Sequence, residues 1–347
     1  MDISDNALLV FALSTVVLGM LILIRCGDWI VDGAVFIARK AGISMLLVGF
    51  TIVAFGTSLP ELIVSVNASL KGSPGIAVGN VIGSNIANIL LVIGAGAVCR
   101  TLVANRKKLA LDMGKMMLAS TLCVCLLLYG VIGAMTGVLM ILTLIGYVFL
   151  QYQRSKTAPQ DTVIATVVQE EGSLAPVMHP HHAQTDENDM PVFKSVWIAA
   201  LFVVCGIIGL AFGADLMVRG AITSAAILNV PDAIVGLTVI AVGTSLPELS
   251  TSIIAALKKQ GDIVLGNVIG SNVFNIMMIL GATAIINPIS AKELPPQMIH
   301  FDMWVMLGVA ALFCVLVIRP GQFSRVTGGI FLAGYAAYIG AMALMNT

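Results

Sequence analysis

Glu61 and Glu248 are acids embedded in long apolar sequence, each closing the same hexapeptide, Gly-Thr-Ser-Leu-Pro-Glu, at 56 to 61 and again at 243 to 248. A carboxylate at membrane depth is costly, and such residues are by default functional. Thr57 lies four residues and Ser58 three residues before Glu61. If the local path stays roughly helical, all three project to one side. Thr244, Ser245 and Glu248 repeat that face. In the apolar segment that follows each motif, Ser84 and Asn88 share a face, as do Ser271 and Asn275. Carboxylates, hydroxyls, amide oxygens and backbone carbonyls form an all-oxygen set that suits hard cations such as Ca²⁺ or Na⁺ and not zinc or copper.

Charge arithmetic narrows the chemistry. Two ionised glutamates supply minus two, so one Ca²⁺ or two Na⁺ would neutralise the pair, and a third Na⁺ would leave one positive charge. Loads that compete for one pair of carboxylates exclude each other, which is the simplest route to antiport. Protonation is the rival counter-charge, because burial penalises a bare carboxylate.

Other polar residues have plainer readings beside these. The serines and asparagines read either as ligands or as interhelical polar glue. Asp28 and Asp215 occupy equivalent places, but Arg219 stands four residues from Asp215 and can pair with it, which favours a structural or vestibule role. His179, His181 and His182 fall in a polar stretch and read as solvated linker. Gly75, Gly79 and Gly83, partly repeated as Gly266 and Gly270, read as close-packing positions. The six cysteines lack the spacing of a disulfide or zinc framework and read as small buried hydrophobes.

The elements that must position the acids are written twice. Residues 49–94 align without a gap on 236–281, always 187 positions apart, with 25 of 46 positions identical. A mean hydropathy of +1.02, with 59% hydrophobic and 10% charged residues, describes a polytopic membrane protein. The zero net charge offers no basic stripe for nucleic acid. Apolar runs long enough to span a ~30 Å core fall near 7–38, 43–70, 74–98, 109–130 and 132–152, then near 195–226, 230–257, 262–286, 300–318 and 325–345. The polar, acidic stretch 153–192 between them reads as a flexible linker. The expected division is therefore a first repeat over 1–152, a linker over 153–192 and a second repeat over 193–347. The N-terminus lacks the basic region of a cleavable signal, so the first run is expected to remain as a span.

Placing the N-terminus outside puts thirteen loop Lys and Arg residues inside, from Arg39 and Lys40 to Arg319 and Arg325, and leaves Lys71 and Lys292 outside. Positive residues concentrate on the cytoplasmic side, so the linker is expected in the cytoplasm with both termini outside. An odd number of spans per half turns the second half upside down, an architecture of secondary transporters with the site at the midplane. Pro60 and Pro247 cannot donate to the carbonyls of Gly56 and Gly243, so each helix is expected to break there. Freed carbonyls at such breaks are natural cation ligands.

The paired motifs, Gly56 to Glu61 with Gly83 to Asn88 and Gly243 to Glu248 with Gly270 to Asn275, resemble the two α-repeats of the Ca²⁺/cation antiporter superfamily, most closely its small prokaryotic sodium/calcium exchangers. The resemblance implies an all-α polytopic fold of ten transmembrane helices, as two inverted five-helix repeats with discontinuous helices at the midplane, in a prokaryotic inner membrane. It implies Ca²⁺ bound centrally by Glu61 and Glu248, assisted by Thr57 and Thr244. Na⁺ would fall to Ser58, Ser84, Ser245 and Ser271 with the carbonyls of Ala54 and Ala241, and Asn88 and Asn275 fill the remaining family positions. Some relatives have an acid in place of Asn275, K⁺-coupled members among them. The expected function is Na⁺/Ca²⁺ exchange by alternating access; H⁺ or K⁺ coupling is the alternative. No cofactor and no protein partner is expected, only the ions and the bilayer. An intramembrane hydrolase fits poorly, because HExxH and GxSxG motifs are missing and no histidine falls centrally within a span.

Overall fold

The structure is a computed structural model that describes residues 3–157, 193–228, 243–319 and 321–345. It is built almost wholly from helices: α1 (Ile3–Ala41), α2 (Met45–Thr57), α3 (Leu59–Leu70), α4 (Pro74–Cys99), α5 (Arg106–Tyr129), α6 (Ala134–Thr157), α7 (Val196–Ile227), α8 (Leu246–Leu257), α9 (Gly261–Ile286), α10 (Met298–Ile318) and α11 (Arg325–Met345). Among the described residues, eight helices are long and apolar enough to cross a membrane, and α2 with α3 forms a further span bent by 43°. The expected runs match these helices closely in the first half. In the second, only residues 243–257 of the run 230–257 lie within the described residues. Helix α6 continues to Thr157, five residues into the stretch read as linker, and the remainder of that stretch, with its three histidines, lies outside the described residues.

Burial sorts the helices into layers. The most apolar windows of α9 and α4 are 94% and 78% buried by protein, against 17% for α1 and 28% for α7. Thus α4 and α9 form the centre and α1 and α7 pack lengthwise as an outer pair. Backbones in the centre approach closely. A Cβ on Gly266 would stand 2.5 Å from the Leu46 carbonyl oxygen and 2.9 Å from the Phe50 nitrogen. One on Gly270 would strike the Phe50 carbonyl. Small residues let α9 lie directly on α2, the packing role expected of Gly266 and Gly270; of the other glycines read the same way, Gly79 faces the Met298 side chain, Gly75 makes only ordinary contact and Gly83 has open space beside it.

Helices α3 and α8 begin alike. Ser58 (φ −83°, ψ 2°) and Ser245 (φ −90°, ψ 6°) stand outside helical geometry just before them, and Pro60 and Pro247 lie in their first turns. Proline is tolerated there because its missing N–H is one the helix start leaves unpaired in any case. The α3–α4 and α8–α9 turns also match: Gly72 (φ 74°) and Lys259 (φ 61°) are both left-handed, 187 positions apart. The nitrogens of Ser73 and Gln260 return to the carbonyls of Ala68 and Ala255 at 2.9 and 2.8 Å.

Two short ribbons tie one half to the other. Strand β1 (Leu102–Val103), between α4 and α5, pairs antiparallel with β4 (Gln322–Phe323), between α10 and α11. Strand β2 (Val131–Ile132), between α5 and α6, pairs with β3 (Ile289–Ser290), between α9 and α10.

Outside the centre, the acids are paired. Lys258, just past α8, reaches Asp28 at 2.9 Å and Asp32 at 2.7 Å on α1. Higher on the same face of α8, the Ser250 hydroxyl donates to the Leu23 carbonyl at 2.9 Å. Asp215 takes the guanidinium of Arg219 at 2.8 Å, the pairing that their spacing allows. Asp112 is buried between α5 and α6, where Tyr147 donates to it at 3.0 Å and Gln151 also donates.

Candidate cation site

Glu61 and Glu248 fall in the first turns of α3 and α8. Helix N-termini favour negative charge, so the break that Ser58 and Ser245 create supplies each acid with a partial positive end. Both acids are buried, at 1% and 0% exposure, and lie within electrostatic reach of each other. Glu248 is also held by the opposite half, since the Ser58 hydroxyl donates to its Oε1 at 3.2 Å.

Elsewhere among the described residues nearly all buried side-chain polar atoms find partners, as they generally must. Here they do not. Among the described residues, the buried side-chain atoms without a hydrogen-bond partner are both carboxylate oxygens of Glu61, Oε2 of Glu248, the hydroxyls of Ser84, Ser245 and Ser271, the Oδ1 atoms of Asn88 and Asn275, and the hydroxyl of Thr283. All are oxygens. All but Thr283, two turns past Asn275 on α9, were singled out by the sequence. Seven residues of an expected ligand set thus carry free oxygen in the dry centre of a membrane protein.

Widened helical turns begin at the two asparagines. Residues Asn88–Ile93 and Asn275–Leu280 form five-residue turns within α4 and α9, and Gly49–Val53 forms another within α2. Such bulges are frequent at functional sites. Sequence spacing carried no sign of the widening.

Other expected ligands stand differently. The Thr57 hydroxyl lies 3.4 Å from both the Ala54 carbonyl and Asn267 Oδ1. The Ala54 carbonyl also accepts the Ser58 N–H at 3.0 Å, so it is already engaged twice. Thr244 is half-buried, and Ala241 lies outside the described residues. Sequence reasoning missed four asparagines. The Asn80 and Asn267 amides donate to Ser65 and Ser252, both at 3.0 Å, and Asn85 and Asn272 accept from Asn275 and Asn88. The signal was present, since all four lie in the duplicated Gly-Asn-Val-Ile-Gly-Ser-Asn segment.

One family description, that of the sodium/calcium exchanger protein, matches residues 11–153 and again 198–344. The chain is 30% identical to the sodium/calcium exchanger MaX1 of Methanosarcina acetivorans, over 93% of this chain and 95% of that one. It is 32% identical to the inner membrane protein YrbG of Escherichia coli, over 95% and 96%. A solved structure of the sodium-calcium exchanger NCX_Mj, soaked with Na⁺ and Sr²⁺, superposes with a TM-score of 0.77 at 30% identity, covering 96% of this chain and 98% of that one. The chain belongs to the sodium/calcium exchanger family and is a membrane-spanning cation antiporter.

Proposed function

We propose that the protein exchanges Na⁺ for Ca²⁺ by alternating access, with both ions competing for one midplane site shared by its two halves. The carrying observation is the set of buried oxygens without partners around Glu61 and Glu248. A buried unpaired polar group costs about 1–3 kcal/mol, more if charged, and a protein tolerates many together only where a ligand completes them. Glu61 and Glu248 bind Ca²⁺ with Thr57 and Thr244. Ser58, Ser84, Ser245 and Ser271 serve Na⁺ with the Ala54 and Ala241 carbonyls, and Asn88 and Asn275 close the ring. A relative named a sodium/calcium exchanger and a matched structure soaked with Na⁺ and Sr²⁺ support this choice of ions.

In the same reading the chain forms ten spans, as two inverted five-helix repeats over 1–152 and 193–347 joined by a cytoplasmic linker at 153–192. The ribbons support the inversion. With five spans per half, the α4–α5 and α10–α11 connections lie on one side and the α5–α6 and α9–α10 connections on the other, and these are the pairs that β1–β4 and β2–β3 join. The charge distribution supports placing both termini outside, and the relative named as an inner membrane protein supports that membrane. Ions and lipid suffice as partners, with no cofactor.

Proteoliposomes with an outward-directed Na⁺ gradient should accumulate radioactive calcium, and Glu61→Gln should abolish the uptake. Undiminished uptake by that variant would sink the assignment of the ligand, while uptake driven by a pH jump in Na⁺-free buffer would transfer the coupling to protons.

A further inference from the structure

The structure assigns Asn85 and Asn272 as positioning residues: each holds the amide of an ion-facing asparagine from the opposite half, so that its oxygen and not its nitrogen points at the cation. This rests on the site reading above and deepens it. Asn275 donates its Nδ2 to Asn85 Oδ1 at 3.3 Å, and Asn88 donates its Nδ2 to Asn272 Oδ1 at 3.4 Å. Each leaves its own Oδ1 buried without a partner. All four asparagines are at most 2% exposed, so water does not compete for their amides.

An asparagine side chain can be flipped, exchanging acceptor for donor at little steric cost. A flipped Asn275 would turn two N–H donors toward the cation and repel it. Contact with another asparagine does not settle the direction, because both could flip together. The direction is settled one residue further out. Asn85 Nδ2 lies 3.6 Å from the sulfur of Met306 on α10, and Asn272 Nδ2 lies 3.6 Å from the sulfur of Met116 on α5. A thioether accepts weakly and has no hydrogen to donate. It therefore accommodates the N–H end of its asparagine and not the oxygen, which fixes the polarity of the next amide and then of the ligand. Met306, Asn85 and Asn275 form one such relay; Met116, Asn272 and Asn88 form its mate. Each crosses from one half of the chain to the other, so neither half orients its own ligand alone.

The test is a double-mutant cycle on the half-saturating Ca²⁺ concentration for Na⁺-driven uptake in proteoliposomes. Loss of a residue that orients a metal ligand typically costs 10–100-fold in affinity, so Asn85→Ala should raise that concentration about tenfold, mainly as affinity. In an Asn275→Ala background the same change should add less than about twofold, because residues acting through one another are not additive. An equal multiplication in both backgrounds would overturn the relay and leave the site reading intact. If instead Asn275→Ala has no effect on affinity, the site reading itself fails, and the relay with it. Met306→Leu conserves volume and removes only the acceptor, which guards against an Asn85 variant that does not fold. It should weaken Ca²⁺ binding in the same direction, and unchanged affinity would overturn the assigned polarity.

Discussion

Ser58 and Ser245 show how far equivalent residues can diverge. Both sit at a helix break 187 positions apart, yet the Ser58 hydroxyl already bonds Glu248 and the Ser245 hydroxyl has no partner. Hydrogen bonds to charged groups contribute about 1.5–3 kcal/mol. Because that bond also orients a carboxylate proposed to bind Ca²⁺, Ser58→Ala should weaken Ca²⁺ binding by about tenfold, and Ser245→Ala should weaken it less. Titration of Ca²⁺ into the two purified variants checks the order, and equal losses would show that the bond to Glu248 carries no weight. Thr283 aside, the residues that carry the unpartnered buried oxygens were legible in the sequence because acids and amides in apolar sequence advertise their cost. Asn85 and Asn272 were harder to read. Their role lies in which end of an amide faces which neighbour, and no spacing rule encodes that.

Helix α9 owes its place to absent side chains. It rests on α2 through Gly266 and Gly270, backbone against backbone, and this contact sets Ser271 and Asn275 opposite the first half. A methyl group at Gly266 would meet the Leu46 carbonyl and the Phe50 nitrogen, neither of which can swing aside. Gly266→Ala should cost on the order of 1–3 kcal/mol and lower the thermal midpoint in detergent, with ion affinity falling as α9 retreats. A variant as stable as the parent would mean that α2 and α9 have slack. The sequence showed the glycines, the prolines and the length of nearly every helix, because apolar runs and breakers are local signals. It did not show the widened turns at Asn88 and Asn275, which depend on how each helix settles against its neighbours.

At the scale of the molecule, the repeat makes a sharp forecast. Lys71 in the α3–α4 turn and Lys259 in the α8–α9 turn occupy nearly equivalent places, and both are exposed. If the halves are inverted, they lie on opposite sides of the membrane. In a background with the six native cysteines replaced, an impermeant thiol reagent should label Lys71→Cys in intact cells and reach Lys259→Cys only after permeabilisation. Labelling of both from one side would refute the inversion. The number of apolar runs and the charge bias supply this expectation, and the described residues hold eight apolar helices of spanning length and one bent pair. The ribbons could not be foreseen, because two-residue strands carry no periodicity.

Those ribbons bear on how the protein is made. Leu102 emerges early during synthesis, but its partner Phe323 is among the last residues to appear. Ile132 likewise waits for Ile289. The first half must therefore enter the bilayer with its loop strands and ion-facing oxygens uncompleted and remain so while the second half is threaded. Both ribbons therefore close only after every residue of the proposed ion site has emerged, so they act as late clasps on a core whose polar centre is already complete in sequence.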